Sequence, residues 1–464
     1  MTMTRTTDVV VCGAGIAGVA AAYELAVRRG LGRVLLVDPL PPLSLTSDKS
    51  TECYRNWWPG PGPTMVRFMD RSIDLLEEMS EASGDRFAMN RNGYAYFTAD
   101  RARAAELERA AREISALGAG ELRVHRGEMS DPLFPDAPYD KLDRALSGAD
   151  LILDPQTIRC RYPFLHRDTV AALLPRRCGW LSAQQLGMWM LERARTAGVE
   201  LIQGRVVAVA VDSGRVTTVD VARPSGEIER IATGSVVNAA GPLAPEVGRL
   251  AGLELPLTNE LHGKVYLEDV EHVVPRDLPL MIWCDPVTLE WGEEEGAALA
   301  AEPGLAYLTR PLPGGVHFRP EGGVDSRMLL LLFTYNLDAV TPVWPPRFDP
   351  WYPEVALRAL TRMVPGFAVY LGEKMRRPFV DGGYYCKTAE NRPLIGATPI
   401  TGFHLLCGLS GYGIMASAAA AELLGATLAG GKLPDYAAEF RLDRYGDPGY
   451  RARLARGEFA SGQL

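Results

Sequence analysis

Asp8-Val9-Val10-Val11-Cys12-Gly13-Ala14-Gly15-Ile16-Ala17-Gly18 decides the fold, together with the Ala- and Leu-rich stretch Val19 to Arg29 and the Gly30 that closes it. Val9 to Cys12 is a short apolar, β-branched run, the pattern of a buried parallel strand. Val19 to Arg29 predicts a helix, with Gly30 as its C-terminal stop. Arg33 to Val37 predicts the next strand, and Asp38 stands at its end. The three glycines have separate tasks. Gly13 permits the tight turn, Gly15 lets backbone approach a pyrophosphate, and Gly18 lets helix pack on strand. The helix start offers unpaired N–H groups and a positive dipole end. Asp38 falls where an acid takes the two ribose hydroxyls, which disfavours a 2′-phosphate. The unit therefore predicts a dinucleotide site for FAD or NAD rather than NADP.

At 464 residues the chain exceeds one ordinary domain and predicts two. A hydrophobic content of 47% and a charged content of 23% are those of a soluble globular protein. The net charge of −8 argues against nucleic acid or an anionic membrane as partner. Met1 to Thr7 has no apolar core of a secretory signal, and no run reaches the length of a membrane span. Seven cysteines without CxxC pairs predict free thiols and a cytoplasmic protein. Six histidines without HxxxH or HExxH spacing predict no metal site.

Beyond Asp38, Thr46-Ser47-Asp48-Lys49-Ser50-Thr51-Glu52-Cys53-Tyr54-Arg55-Asn56-Trp57-Trp58 is dense in hydroxyls, with one Arg beside aromatics. Its donors suit the second half of a pyrophosphate, and two adjacent tryptophans predict a core or a cleft. Met65 to Met79 predicts an amphipathic helix. Phe87 to Thr98 predicts a strand pair turning at Asn92-Gly93, and Arg101 to Leu117 a charged helix. Gly118 to Asp150 reads as loop. Another helix falls within Gly179 to Gly198. Val199 to Ile202, Val206 to Val211 and Val216 to Val221 read as a meander. Ser235 to Gly241 is a short buried strand ending in small residues. From Leu255 to Asp381 strands predominate, at Gly263 to Leu267, Leu280 to Trp283, Gly315 to Arg319 and Met328 to Tyr335. Phe403 to Cys407, the turn Gly408-Leu409-Ser410-Gly411-Tyr412-Gly413, and the helix Ile414 to Ala429 repeat the opening pattern.

Taken together, Gly13 to Gly18 with Asp38, Asn238-Ala239-Ala240-Gly241-Pro242, Gly383-Tyr384-Tyr385 through Asn391-Arg392-Pro393-Leu394-Ile395-Gly396, and Gly408 to Gly413 resemble one family in motif and order. The chain resembles the FAD-dependent D-amino-acid oxidase superfamily, nearest its glycine oxidase and sarcosine oxidase or dehydrogenase branch. The resemblance implies an α/β protein: a Rossmann-like FAD-binding domain (GR2-type) with a substrate domain built on a mixed or antiparallel sheet. The expected division assigns 1–90, 161–254 and 379–464 to the FAD-binding domain, and 91–160 and 255–378 to the substrate domain. The resemblance implies FAD contacts from Gly13, Gly15, Ile16, Ala17, Gly18 and Asp38, and from Thr46, Ser47 and Ser50. It adds Val206 or Val207 at the adenine, Ala240 and Gly241 midway, and Gly411, Tyr412, Gly413, Ile414 and Met415 at the flavin.

The implied function is oxidation of the C–N bond of an amino acid or secondary amine, with hydride transfer to flavin N5 and an imine product. The partners are that amine and O2 or another electron acceptor. The residues expected to position substrate are Arg55, Lys264, Tyr384 and Tyr385, with Trp283 and Arg319 behind them. A pyridine-nucleotide dehydrogenase and a non-catalytic flavin-binding subunit are the competing readings. Three departures from the family pattern stand out. Glu52-Cys53 replaces the usual Gly-Gly, His262-Gly263-Lys264 replaces Arg-Gly-Gln, and Gly382 takes the register of a flavin-attaching Cys, which implies non-covalent FAD.

Overall fold

A computed structural model of the protein describes residues 5–323, 325–372 and 378–459. Of the N-terminal stretch Met1 to Thr7, the structure describes Arg5 onward.

Val9–Cys12 is buried along its whole length and lies in a six-stranded sheet. Across that sheet run Glu200–Gln203, Val34–Asp38, Val9–Cys12, Val236–Asn238, Phe403–Cys407 and Leu394–Ala397. The first five are parallel and the last is antiparallel. Strands buried on both faces need no polar alternation, which is why VVVC and VLLVD are continuous apolar runs. The helices Ile16–Tyr23 and Gly413–Leu428 rise from the carboxyl ends of Val9–Cys12 and Phe403–Cys407, the position where open α/β sheets bind ligands.

A nine-stranded sheet forms the second layer system. Its order is Phe379–Lys387, Thr258–Glu268, Met328–Leu332, His317–Pro320, Leu280–Trp283, Tyr94–Thr98, Ala171–Pro175, Ala149–Ile152 and Leu122–His125. Most pairs are antiparallel, with Leu280–Trp283/Tyr94–Thr98 and Leu122–His125/Ala149–Ile152 parallel. This is the mixed sheet expected beside the Rossmann-like part. Two of its strands cross the expected division: Ala171–Pro175 falls inside 161–254 and Phe379–Lys387 begins 379–464, yet both pair here.

The sequence reading needs three local corrections. Phe87 to Thr98 is not a hairpin: Asn90 and Gly93 bond to Trp180 and Cys178 instead, and Tyr94–Thr98 pairs with Ala171–Pro175 and Leu280–Trp283. Glu200–Gln203 leaves the meander to pair with Val34–Asp38. Within the expected loop Gly118 to Asp150, Leu122–His125 forms a strand, and Ala149–Ile152 forms another at the loop's end. Asp150 imitates a loop residue in sequence, but it is fully buried and held by Arg123, Arg176 and His125.

The Asn391 to Gly396 motif is anchored from behind. The buried Arg444 guanidinium donates to Glu390 at 2.6 Å and to the carbonyls of Pro393 and Arg392, while the Tyr445 and Tyr450 hydroxyls donate to the same carboxylate. Burial works to raise the Glu390 carboxyl, but the Arg444 charge and these donors hold it below its ordinary value. Breaking a buried pair leaves an uncompensated charge, so Glu390→Gln should cost about 3 kcal/mol at neutral pH. For a depressed carboxyl the contribution is complete above the ordinary value of 4.5 and is lost as pH falls. Thermal melts across the acid range should therefore converge for wild type and variant. A constant gap at all pH values would contradict this role.

Candidate active site

Two helix starts and one strand end meet at a cleft of about 870 Å³. The opening turn supplies Gly13, Gly15, Ile16 and Ala17, the middle motif Ala240 and Gly241, and the last turn Gly411, Gly413 and Ile414. Neither helix has an acid in its first turn or a side-chain cap from its own N-cap residue, so two positive ends remain directed at one cleft. Gly13 has φ +102°, and a Cβ there would stand 2.5 Å from the Ala239 carbonyl oxygen. A Cβ on Gly15 would reach Ser47 Oγ at 3.2 Å and narrow the cleft that both residues line. Ser47 Oγ accepts from the Ile16 N–H, and Thr46 Oγ1 donates to the Tyr384 carbonyl, which ties the hydroxyl-rich segment to the cradle. These features fit FAD.

Asp38 lines the same cleft and also holds the turn together. One carboxylate oxygen accepts from Ala14 N at 2.7 Å, and the other from Leu40 N at 2.8 Å. Each oxygen keeps a lone pair for a ribose hydroxyl. Asp38→Ala leaves the Ala14 N–H without its acceptor and takes away the two oxygens expected to meet the ribose. FAD retention through gel filtration should fall, and the melting temperature should fall with it, by about 1–3 kcal/mol of stability. Full FAD retention in the variant would show that the acid is not on the ribose.

Adjoining the cleft is a second chamber of about 560 Å³, sharing Tyr385 and Gly411 with it. A Cβ on Gly411 would run into the Tyr385 ring, so this glycine lets the ring lie across the junction. Arg55 enters from Cys53–Arg55, a strand pinned to Cys178–Trp180. It is buried, its guanidinium lies 4.8 Å from the Trp58 ring centre and 5.6 Å from that of Tyr94, and Nη1 donates to the Tyr96 hydroxyl at 2.5 Å. Trp57 and Trp58 are both buried, as their adjacency predicts. Two histidines share the chamber. Burial lowers His317 to about 4, against the Gly315 carbonyl that its Nδ1 contacts. Burial also lowers His262, with Glu260 opposing. Both rings are neutral at physiological pH, which leaves Arg55 as the cation of this chamber among the described residues.

The Glu52-Cys53 departure has a structural account. Glu52 takes φ +58°, the left-handed conformation that glycine adopts freely. Its carboxyl is raised to about 7 by burial, against the pull of Arg319 and Lys264. Those two cations brace the segment: Lys264 Nζ donates to the Asp48 and Ser50 carbonyls, and Arg319 Nε to that of Thr51. Lys264 thus lines neither cavity, and burial lowers its pKa.

The expected residues divide accordingly. Gly13, Gly15, Ile16, Ala17, Asp38, Thr46, Ser47, Ser50, Ala240, Gly241, Gly411, Gly413, Ile414, Tyr384 and Tyr385 line the cofactor cleft. Tyr412 and Met415 line the second chamber, where Tyr412 donates to the Asn391 carbonyl and stands edge-on to Trp58. Gly18 lines neither cavity and packs on Gly13. Val206 and Val207 also line neither: Val206, on the meander strand Arg205–Asp212, is partly buried against the core, and Val207 is exposed. Tyr384 is tethered through its hydroxyl to Val343. Trp283 is core. The sequence reading passed over Tyr94, His317 and Thr334, and it treated His262 only as a departure. Tyr94, His262 and His317 point inward from strands of the second sheet and Thr334 lies two residues past Met328–Leu332, placements that alternation alone cannot separate from core.

The cysteines near the cleft argue against attachment. Cys386 is raised to about 12 and Cys53 is raised also, both by burial, so neither is a ready thiolate. A side chain at Gly382 would meet the His262 carbonyl and stand 2.6 Å from Phe348 Cζ. Among the described residues no helix is long and apolar enough to cross a membrane, and no group of His, Cys, Asp and Glu is placed to hold a metal ion.

Residues 8–427 match the family model described as FAD dependent oxidoreductase. The chain belongs to this DAO family, and FAD is its cofactor. Its fold is similar to that of L-proline dehydrogenase from P. horikoshii, with a TM-score of 0.70, 19% identity, and coverage of 99% of this chain and 100% of that one. Glycine oxidase from Geobacillus kaustophilus has a TM-score of 0.70 at 17% identity, covering 95% and 99%. Iminodiacetate oxidase from Chelativorans sp. BNC1 has 0.67 at 19%, covering 93% and 98%. None of the curated proteins matches the chain.

Proposed function

We propose that the protein oxidises the C–N bond of an amino acid or N-substituted amino acid whose carboxylate is held by Arg55. The observation that carries this reading is a desolvated guanidinium, framed by Trp58 and Tyr94, in a chamber that opens on the cofactor cleft at Tyr385 and Gly411. A planar fork that keeps its charge when buried suits a carboxylate better than a neutral ligand. Apolar walls and a nearby cation disfavour an ammonium, so the chamber lowers the pKa of the amine it receives. Bound flavin supplies a two-electron acceptor for the hydride leaving the α-carbon. The chain supplies orientation, exclusion of water and loss of the amine proton. Glycine oxidase, L-proline dehydrogenase and iminodiacetate oxidase act, by name, on substrates of this class.

FAD is held without a covalent bond, on the evidence of the protonated thiols and the closed Gly382 position. Acid denaturation should release all the flavin into the supernatant. A single anaerobic turnover should then yield one equivalent of the oxo acid or aldehyde derived from the imine per flavin. Flavin retained in the precipitate would refute the non-covalent reading alone. A reduced flavin with unchanged substrate would refute the reaction.

A further inference from the structure

The His262-Gly263-Lys264 departure places an imidazole where the family motif has arginine, and the structure surrounds that imidazole with a hydroxyl and a carboxylate. His262 Nδ1 lies 2.9 Å from Thr334 Oγ1, and Nε2 lies 3.3 Å from Glu260 Oε2. The ring is stacked on Tyr385 at 3.8 Å, which fixes its plane. Glu260 is buried and bridged by Lys387 Nζ at 2.6 Å. Burial works to raise the Glu260 carboxyl, but His262 and Lys387 hold it below its ordinary value. An ionised Glu260 accepts from Nε2–H. That sets the tautomer and leaves Nδ1 to accept from the Thr334 hydroxyl. This is the hydroxyl–imidazole–carboxylate order of a general-base triad, recognised by geometry and roles. Thr334 and His262 both line the second chamber.

We propose that Thr334 and His262, positioned by Glu260, take the proton from the substrate's ammonium group. This rests on the amine reading above. The substrate N–H bond breaks as an O–H bond forms on Thr334. The original Thr334 O–H bond breaks as an N–H bond forms on Nδ1. The positive charge passes from substrate nitrogen to imidazolium, where Glu260 faces it, and the amine lone pair is freed for oxidation. Thr334 and His262 are catalytic residues in this scheme, and Glu260 is a positioning residue. The groups facing His262 are Glu260 on its own strand, Tyr385 and Lys387 on Phe379–Lys387, Thr334 beyond Met328–Leu332, and His317 on His317–Pro320. Arg55 and Tyr94 complete the chamber. Arg55 and Lys387 disfavour imidazolium and Glu260 favours it. His262 therefore accepts the proton transiently and releases it readily.

The test uses the holoenzyme. Histidine-15N NMR, with the His262→Asn spectrum as assignment, should show His262 neutral at pH 7 with its proton on Nε2. Glu260→Gln should loosen that preference. For whichever amine reduces the wild-type flavin anaerobically, the rate should rise with pH along an acid limb. Glu260→Gln should move that limb to lower pH, because it removes the group that favours imidazolium, and should lower the plateau about tenfold. Thr334→Val should lose about a hundredfold with an unaltered flavin spectrum, and Thr334→Ser should recover most of it. A proton on Nδ1, or an acid limb unmoved in Glu260→Gln with full rate in Thr334→Val, overturns the relay. No reduction by any amine, with the Nε2–H tautomer intact, overturns the amine reading and with it the substrate proton, but not the hydrogen-bond chain.

Discussion

Gly18→Ala should yield a protein that fails to retain FAD and melts well below wild type. A Cβ at this position overlaps the Gly13 carbonyl oxygen, a backbone atom that cannot swing aside as a side chain can. Gly13 cannot retreat either. Its N–H is held by the Val37 carbonyl at 2.8 Å, and its φ of +102° is set by the tight turn against the neighbouring strand end. The helix must therefore lift off the strand, taking with it the Ile16 N–H that Ser47 accepts from and the helix start that faces the cofactor. Overpacking against rigid neighbours costs about 3 kcal/mol, and FAD loss removes the ligand's further contribution. Gly30→Ala is the control: φ is +71° there, but nothing lies within 4 Å of the added carbon. It should cost about 1 kcal/mol of backbone strain and leave FAD bound. Melting curves and flavin-to-protein ratios after gel filtration decide the matter. Equal behaviour of the two variants would contradict close helix–strand packing as the reason for Gly18.

Arg55→Ala should reduce kcat/KM for a carboxylate substrate by about a hundredfold or more, while the flavin spectrum stays close to wild type. Removing one partner of a buried charge pair costs about 2–5 kcal/mol, a factor of tens to thousands. Here the loss includes packing, because the guanidinium also fills the space between Trp58 and Tyr94. Arg55→Lys separates the contributions. It keeps charge but loses the planar fork and the stacked face, so KM should rise with a smaller change in kcat. An amide analogue of the substrate should be affected far less than the acid. Equal losses on acid and amide, or loss of FAD in both variants, would mean that Arg55 supports the chamber wall rather than the substrate.

Legibility followed the reach of each signal. The cofactor cradle was readable because its chemistry is local. Turn, helix start and acid fall within one βαβ unit, and Gly13, Gly15 and Asp38 line the cleft as expected. The last Gly-rich turn was readable for the same reason, and Phe403–Cys407 forms with the predicted bounds. The second chamber was legible through Arg55, Tyr385 and the last Gly-rich turn, but not through the residues the second sheet adds. His317 comes from a strand of the nine-stranded sheet and Thr334 from the segment just past Met328–Leu332, and the pairing of His317 with Leu332 brings both beside Arg55. Lys264 shows what a strand position leaves open. A lysine on an expected substrate strand reads as a substrate contact, but its ammonium is committed to two backbone carbonyls. Val206 and Val207 line neither cavity, and strand alternation cannot say which edge of the meander approaches the cleft. Asp150 and Glu390 were invisible as structural anchors, because their arginine partners are distant in sequence.

Anaerobic mixing of the purified holoprotein with N-methyl and cyclic amino acids, D-amino acids and simple amines tests the central claim most directly. The yellow flavin band should bleach with at least one amino acid bearing a free carboxylate and should persist with the matched amide at equal concentration. Readmitting air then separates rapid reoxidation, as in an oxidase, from a slow return that awaits another acceptor. A flavin band that no amino acid bleaches, or that acid and amide bleach alike, would contradict the account.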